Sequence, residues 1–380
     1  MDLVRNTRIL LLLGLIGVLA IALVACSSDD EQSATQAPAA TQAPAATATQ
    51  APAATKAPAA TATQVPALPG EGTTIQPARA TWSTGYFNEA LYSRALEALG
   101  YDVKDFLELD NPIFYQQVAL GDVDYWANAW FPSHSQYEEL FSNGAEIAGT
   151  VIPVGGLEGY LVDKAGAEEF GITTLADFER PEVAAAYDTD GNGKANFLGC
   201  PDGWGCAEIQ AHHWEDLGLN DFIDRGQADY NAAMADLIAR YQNGEHVLFY
   251  TWTPNWTVDV LAPGEDVVWI GVPRASSPLD ITEADQTHSG IVGAVNDPLL
   301  TGWSASDIQV VANSEFLSEN PAAAKLFELM GLALADVNKQ NNLLNEGEDS
   351  QDDIERHVDD WIANNQSTWD SWIEQAKSAG

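Results

Sequence analysis

The sequence predicts an α/β body of two lobes, set behind an export signal and an unstructured tether. Three observations predict it. From about Gly70 onward, short apolar runs alternate with segments of helical periodicity, the order expected of helices packed on a sheet. That body spans roughly 310 residues, long enough for two cores. The 380-residue chain also opens on basic residues followed by an apolar run, so it is read as exported.

The export signal comes first. Arg5 and Arg8 precede an unbroken apolar run from Ile9 to Val24, and Leu23-Val24-Ala25-Cys26 follows. The run has 16 residues, short of the ~20 that span a bilayer. A secretory signal therefore fits better than a transmembrane helix. Its end resembles the lipobox of bacterial lipoproteins, which makes Cys26 the lipidated first residue of the mature chain. From Ala34 to Ala67 the chain repeats Ala-Pro-Ala-Ala with Thr and Gln between. Such a composition buries no core, and its regular prolines favour polyproline II. At ~3.1 Å per residue the tether reaches on the order of 130 Å when extended. A wall-spanning or glycosylated stalk is the compatible plainer reading.

In the body, Phe87 to Leu99 reads as an amphipathic helix with Leu91, Ala95, Leu96 and Leu99 on one face and Gly100 as its stop. Val151 to Val162 reads as a strand interrupted by Gly155, Gly156 and Gly159. Ala232 to Tyr241 is a helix stopped at Asn243-Gly244. His246 to Thr251, Val267 to Val272 and Ile308 to Ala312 are buried-strand candidates. Pro321 to Leu334 is helical, and Ile354 to Ala376 is a helical end carrying Trp361, Trp369 and Trp372.

Composition excludes several functions. With 16 Lys+Arg against 56 Asp+Glu, the formal charge is −40. A nucleic-acid binder needs a basic face, and these cations are too few to build one. An anionic membrane surface would repel the body. Three cysteines are too few for a disulfide scaffold or a four-thiolate zinc site. No nucleophile elbow, zinc-protease helix or phosphate loop occurs, so no catalysis and no cofactor are expected. The 12 tryptophans are the unusual feature.

With Cys26 assigned to the lipid, Cys200 and Cys206 remain, six apart in a Gly- and Pro-rich turn. Outside the cytoplasm such a pair is expected to be oxidised. The ring is then read as holding Trp204 and the flanking N–H groups in one geometry, with a plain structural staple as the alternative. Trp361, Trp369, Trp372 and Trp269 read as packing residues; Trp214 and Trp303 are undecided. Trp130 and Trp252 each follow a strand-like run and precede a proline by two residues, so each indole sits at a strand-to-loop junction. Ligands of open α/β sheets bind at such strand ends. Trp130, Trp204 and Trp252 therefore point to an aromatic ligand cage. Indole faces attract cations by ~0.5–1 kcal/mol when exposed and ~2 or more when desolvated. A methylated ammonium, with no N–H to donate, suits them; stacking on sugars is the competing use.

These residues bring the body into resemblance with a known family. Leu91-Tyr-Ser-Arg-Ala-Leu-Glu-Ala-Leu-Gly-Tyr101, Asp188-Thr-Asp-Gly-Asn-Gly-Lys-Ala-Asn196, the Cys200–Cys206 ring and Phe249-Tyr-Thr-Trp-Thr-Pro-Asn-Trp256 carry it, with Asn320 to Phe327 and His357 to Trp361. Residues 68–380 resemble the glycine betaine/proline betaine substrate-binding proteins of ABC transporters, of ProX type in the OpuAC-like family. The resemblance implies a two-lobed type II periplasmic-binding-protein fold. Residues 70–160 and 265–380 would form lobe 1 and residues 161–264 lobe 2, after a signal peptide (1–25) and a lipidated linker (26–69). It implies that Trp130, Trp204 and Trp252 box the ligand ammonium. His134 and the N–H groups of Gly205 and Cys206 would hold the carboxylate. The implied partners are glycine betaine or a similar quaternary ammonium, an ABC permease and its ATPase. The membrane is reached through the lipid anchor only, and no nucleic acid is involved. Choline or carnitine is the alternative ligand, and a carbohydrate-binding or adhesion lipoprotein the alternative class. Arg274 to Ser306 departs from the family pattern.

Two further motifs carry expectations. Asp188, Asp190 and Asn192 resemble the start of a calcium loop, but Gly199 stands where an EF-hand places Glu. A plain Asx-Gly turn is the expectation, a weak calcium site the alternative. His212 and His213 are adjacent, so on a helix they point apart and read as surface or packing residues.

Overall fold

A computed structural model describes residues 67–380. The signal, Cys26 and most of the tether lie outside the described residues. Among those described, no helix is long and apolar enough to cross a membrane.

The body is built on a seven-stranded sheet, and one strand organises it. Ala145–Asp163 is 19 residues long. Its first half pairs antiparallel with Ser306–Asn313, which pairs in turn with Tyr125–Phe131. Its second half pairs antiparallel with Leu248–Thr253 on one side and Val267–Ile270 on the other. Beyond Leu248–Thr253 lie Ala195–Leu198 and Ile223–Gly226, both parallel. Two groups of strands thus share one long strand, with helices against both.

The glycines expected to interrupt this strand do not. They make room on its faces. A Cβ at Gly156 would lie 2.5 Å from the Trp130 ring, and one at Gly159 would lie 3.0 Å from the Trp269 ring. The strand bends instead, with shifts of register against Ser306–Asn313 and a positive φ at Val154.

The expected helices form with changed ends. Tyr86–Ala98 buries Phe87, Leu91, Ala95 and Leu96, and Gly100 takes the left-handed backbone that ends it. The helix read as Pro321 to Leu334 stops at Leu329. Met330 is extended, and the Leu332 N–H bonds to the Val151 carbonyl at 2.7 Å. Pairing with the long strand thus wins over continued helix. A separate helix, Leu334–Asn345, follows. The helical end is two helices, Gln351–Asn364 and Gln366–Lys377, broken at Asn365. Across that break Trp361 and Trp372 stack at 5.5 Å.

The other expected packing tryptophans are core. Trp269 is buried. The two undecided ones join it: Trp214 stacks on Phe197 at 4.8 Å, and Trp303 packs on Tyr160 at 4.8 Å. His213 is buried as a packing residue, taking a hydrogen bond from the Tyr160 hydroxyl at 2.7 Å and giving one to the Ser276 carbonyl at 2.9 Å. Burial lowers its pKa to about 4, so it is neutral.

Candidate ligand-binding site

The strand Tyr125–Phe131 is at one edge of the sheet, paired with Ser306–Asn313, yet it is buried almost throughout. It carries Trp130 to its end, and Pro132 turns the chain there. Two residues later His134 folds back, its ring Nδ1 accepting the Trp130 N–H at 3.1 Å and the Tyr115 hydroxyl at 2.8 Å. A backbone N–H can only donate, so Nδ1 is an acceptor and the ring proton sits on Nε2. The Asn111 amide lies 2.7 Å from Nε2, and the Asn111 Oδ1 is otherwise buried without a partner. Turning that amide so that its oxygen receives the Nε2 proton satisfies both groups. Burial lowers the His134 pKa to about 3. The residue is therefore a neutral N–H donor, not a cation.

The opposite wall is the Cys200–Cys206 ring. The disulfide closes with Cα atoms 5.9 Å apart. Gly203 adopts φ +88°, and a Cβ there would strike the Asp110 carboxyl at 2.6 Å. Trp204 is the N-cap of the helix Gly205–Asp216 and offers no side-chain cap. The N–H groups of Gly205 and Cys206, at the first two helical positions, have no carbonyl to reach within the helix. With the helix dipole behind them they form a ready anion site. A Cβ on Gly205 would lie 2.8 Å from the His134 ring; glycine there lets the imidazole edge approach these amides.

Trp252 lies near the end of Leu248–Thr253, in contact with Tyr230 at 4.8 Å and edge-on to Trp204 at 5.5 Å. All of the anticipated ligand residues, Trp130, His134, Trp204, Gly205, Cys206 and Trp252, line one cavity. No Lys or Arg is among the lining residues.

Four lining residues were not anticipated: Trp82, Ser133, Glu158 and Tyr250. Trp82 packs edge-to-face on Trp204 at 5.3 Å. A tryptophan set among Thr81, Ser83, Thr84 and Gly85 was the available signal, since such neighbours do not make a core segment. These small residues also fix the cage. The Trp204 Nε1 donates to the Thr81 hydroxyl at 2.8 Å, and the Trp252 Nε1 to the Thr84 hydroxyl at 3.4 Å. With their N–H groups engaged, the indoles offer the cavity faces and edges.

The Asp188–Asn196 segment folds as the expected turn. Asp188 Oδ1 accepts the N–H groups of Asp190, Gly191 and Asn192, and Oδ2 that of Gly193. These bonds hold the Asp188 pKa below its ordinary value.

The family model for the substrate binding domain of ABC-type glycine betaine transport systems matches residues 73–364. The chain is similar to the glycine betaine-binding periplasmic protein OusX of Dickeya dadantii, 41% identical over 82% of this chain and 92% of the relative. It is 39% identical to the glycine betaine/proline betaine-binding periplasmic protein of Salmonella typhimurium, over the same shares. Among solved structures, the glycine betaine, L-proline-binding protein ProX of Borrelia burgdorferi superposes with a TM-score of 0.62 at 14% identity. That alignment covers 81% of this chain and 99% of the other.

Proposed function

The chain belongs to the family of substrate-binding domains of ABC-type glycine betaine transport systems, and on that footing we propose that it captures glycine betaine or proline betaine outside the cytoplasm and delivers it to an ABC importer. The observation that carries this reading is the bipolar cavity. Trp82, Trp130, Trp204 and Trp252 present aromatic surface for a methylated ammonium. The open N–H groups of Gly205 and Cys206 suit a carboxylate a short distance away, and the His134 Nε2 proton, held by Asn111 without ligand, is a third donor that the carboxylate would share. A zwitterion of that length satisfies both ends without a full positive charge in the wall. The binding protein itself catalyses no reaction; ATP hydrolysis belongs to the transporter's ATPase.

In this reading residues 70–160 and 265–380 act as one lobe and 161–264 as the other. Trp130 then comes from the first and Trp204 and Trp252 from the second, so ligand draws the lobes together about a hinge. The Thr81 and Thr84 hydroxyls bonded to Trp204 and Trp252 support that reading, since they tie the segment beside Trp82 to the second lobe. The permease senses the closed form. Lipid on Cys26 and the Ala/Pro/Thr linker tether the body to the membrane; a Cys26→Ala protein released into the soluble fraction is the expected check.

Calorimetric titration with glycine betaine and choline tests the ligand assignment. Choline has no carboxylate and leaves the Gly205 and Cys206 amides unused. Tighter binding of choline than of glycine betaine would overturn the assignment.

A further inference from the structure

One wall of the cavity is a buried carboxylate that the cage does not require. Glu158 lies in the long strand directly opposite Trp252, so the two side chains share a face of the sheet. It is almost fully buried and lines the cavity. The Ser133 hydroxyl donates to Oε2 at 2.6 Å and the Tyr250 hydroxyl to Oε1 at 2.7 Å. A carboxylate has about four lone-pair sites, so roughly half its accepting capacity remains. Among the described residues no Lys, Arg or His forms an ion pair with it. A buried charge without a counter-ion is expensive, and the only lining histidine is neutral. The missing partner is a cation that enters the cavity.

We infer that Glu158 is the counter-ion of the bound ligand and sets its specificity, accepting ammonium carboxylates that keep an N–H alongside fully methylated ones. This rests on the glycine betaine reading of the same site. A cage of indole faces alone attracts any cation but cannot accept an N–H. In such a cage, removing one methyl loses apolar contact and leaves a donor buried without a partner. The two losses together amount to about 2–4 kcal/mol, or a factor of about 30 to 1,000 in affinity. Glu158 supplies the acceptor, and a charged one makes the stronger bond. Burial raises its pKa above the ordinary carboxylate value and the Ser133 and Tyr250 hydroxyls offset this only in part, so a cation bound beside it completes the stabilisation of the charged form.

The experiment is a calorimetric series with glycine betaine and N,N-dimethylglycine on the full chain and on Glu158→Gln. In the wild type, dimethylglycine should bind within about tenfold of glycine betaine. In Glu158→Gln the gap between the two should widen by about tenfold, because the charge is lost. A wild-type gap of about a hundredfold or more overturns the inference without any variant, so a misfolded Glu158→Gln does not protect it. An unchanged gap in a folded variant overturns it too. The parent reading fails separately: if the wild type bound dimethylglycine but not glycine betaine, the role of Glu158 would stand and the transport assignment would not.

Discussion

The indole N–H groups of Trp82 and Trp130 end on the same atom, Oδ1 of Asn128, each at 2.9 Å. One amide oxygen therefore sets the orientation of two walls of the cage. Asn128→Ala should free both rings and leave two buried donors, and weaken glycine betaine binding by about 1–2 kcal/mol, roughly 5- to 30-fold. Calorimetry on a folded variant checks this; unchanged affinity means the rings are held by packing alone.

Trp252→Ala removes a cage face and should weaken betaine binding by at least ~1 kcal/mol. Trp82→Ala, at the residue packed on Trp204, should also weaken it. If only Trp252→Ala has an effect, Trp82 is support for Trp204 and not a wall in its own right. Intrinsic tryptophan fluorescence with a panel of osmolytes gives a fast readout of both.

Reducing Cys200–Cys206 separates a site element from a staple. By loop entropy the ring contributes roughly 2 kcal/mol to stability, a fall of several degrees in melting temperature. The same ring positions Trp204 and the Gly205 and Cys206 amides. Affinity should therefore fall several-fold or more after reduction under conditions where the body is still folded. A large drop in melting temperature with intact affinity would make the bond a staple only.

Glu89 should make stability fall as pH rises. It is buried in the Tyr86–Ala98 helix, bonded by the Ser93 hydroxyl at 2.6 Å, and burial pushes its pKa up to about 7. The folded value lies above the unfolded one, near 4.5. Its contribution is thus complete below about pH 4.5 and is lost as pH rises through 7, by roughly 3 kcal/mol. His134 and His213 act in the opposite sense. Their folded values, about 3 and about 4, lie below the unfolded value near 6.5, so their contributions are present above ~6.5 and lost as pH falls. Glu89→Gln should melt higher than the wild type at pH 8 and show no advantage at pH 4.5. An advantage independent of pH would rule out titration of Glu89 as the cause.

The periodic helices and the apolar strands were legible because burial dictates their patterns. Their ends were less so. The stop at Leu329 depends on the Leu332 N–H reaching the Val151 carbonyl, a contact between residues 181 positions apart in the sequence that no local pattern records. Trp130, Trp204 and Trp252 were legible through the prolines and the cysteine ring beside them. Trp82 has only the weaker marker of its small polar neighbours, and the meeting of separate segments is what makes it a neighbour of Trp204. Glu158 left a readable sign: it is the one acid in the largely apolar run from Val151 to Val162. Its meaning appears only when Ser133 and Tyr250 converge on it.

Gly156 has a bearing on how such a protein can change over evolutionary time. The Trp130 ring lies where a Cβ would stand, and Glu158 follows two residues along the same strand. Replacing one hydrogen atom by a methyl there would push the indole into the cavity and alter which solutes fit. The range of molecules accepted can therefore drift through mutations at a position that has no side chain to touch them.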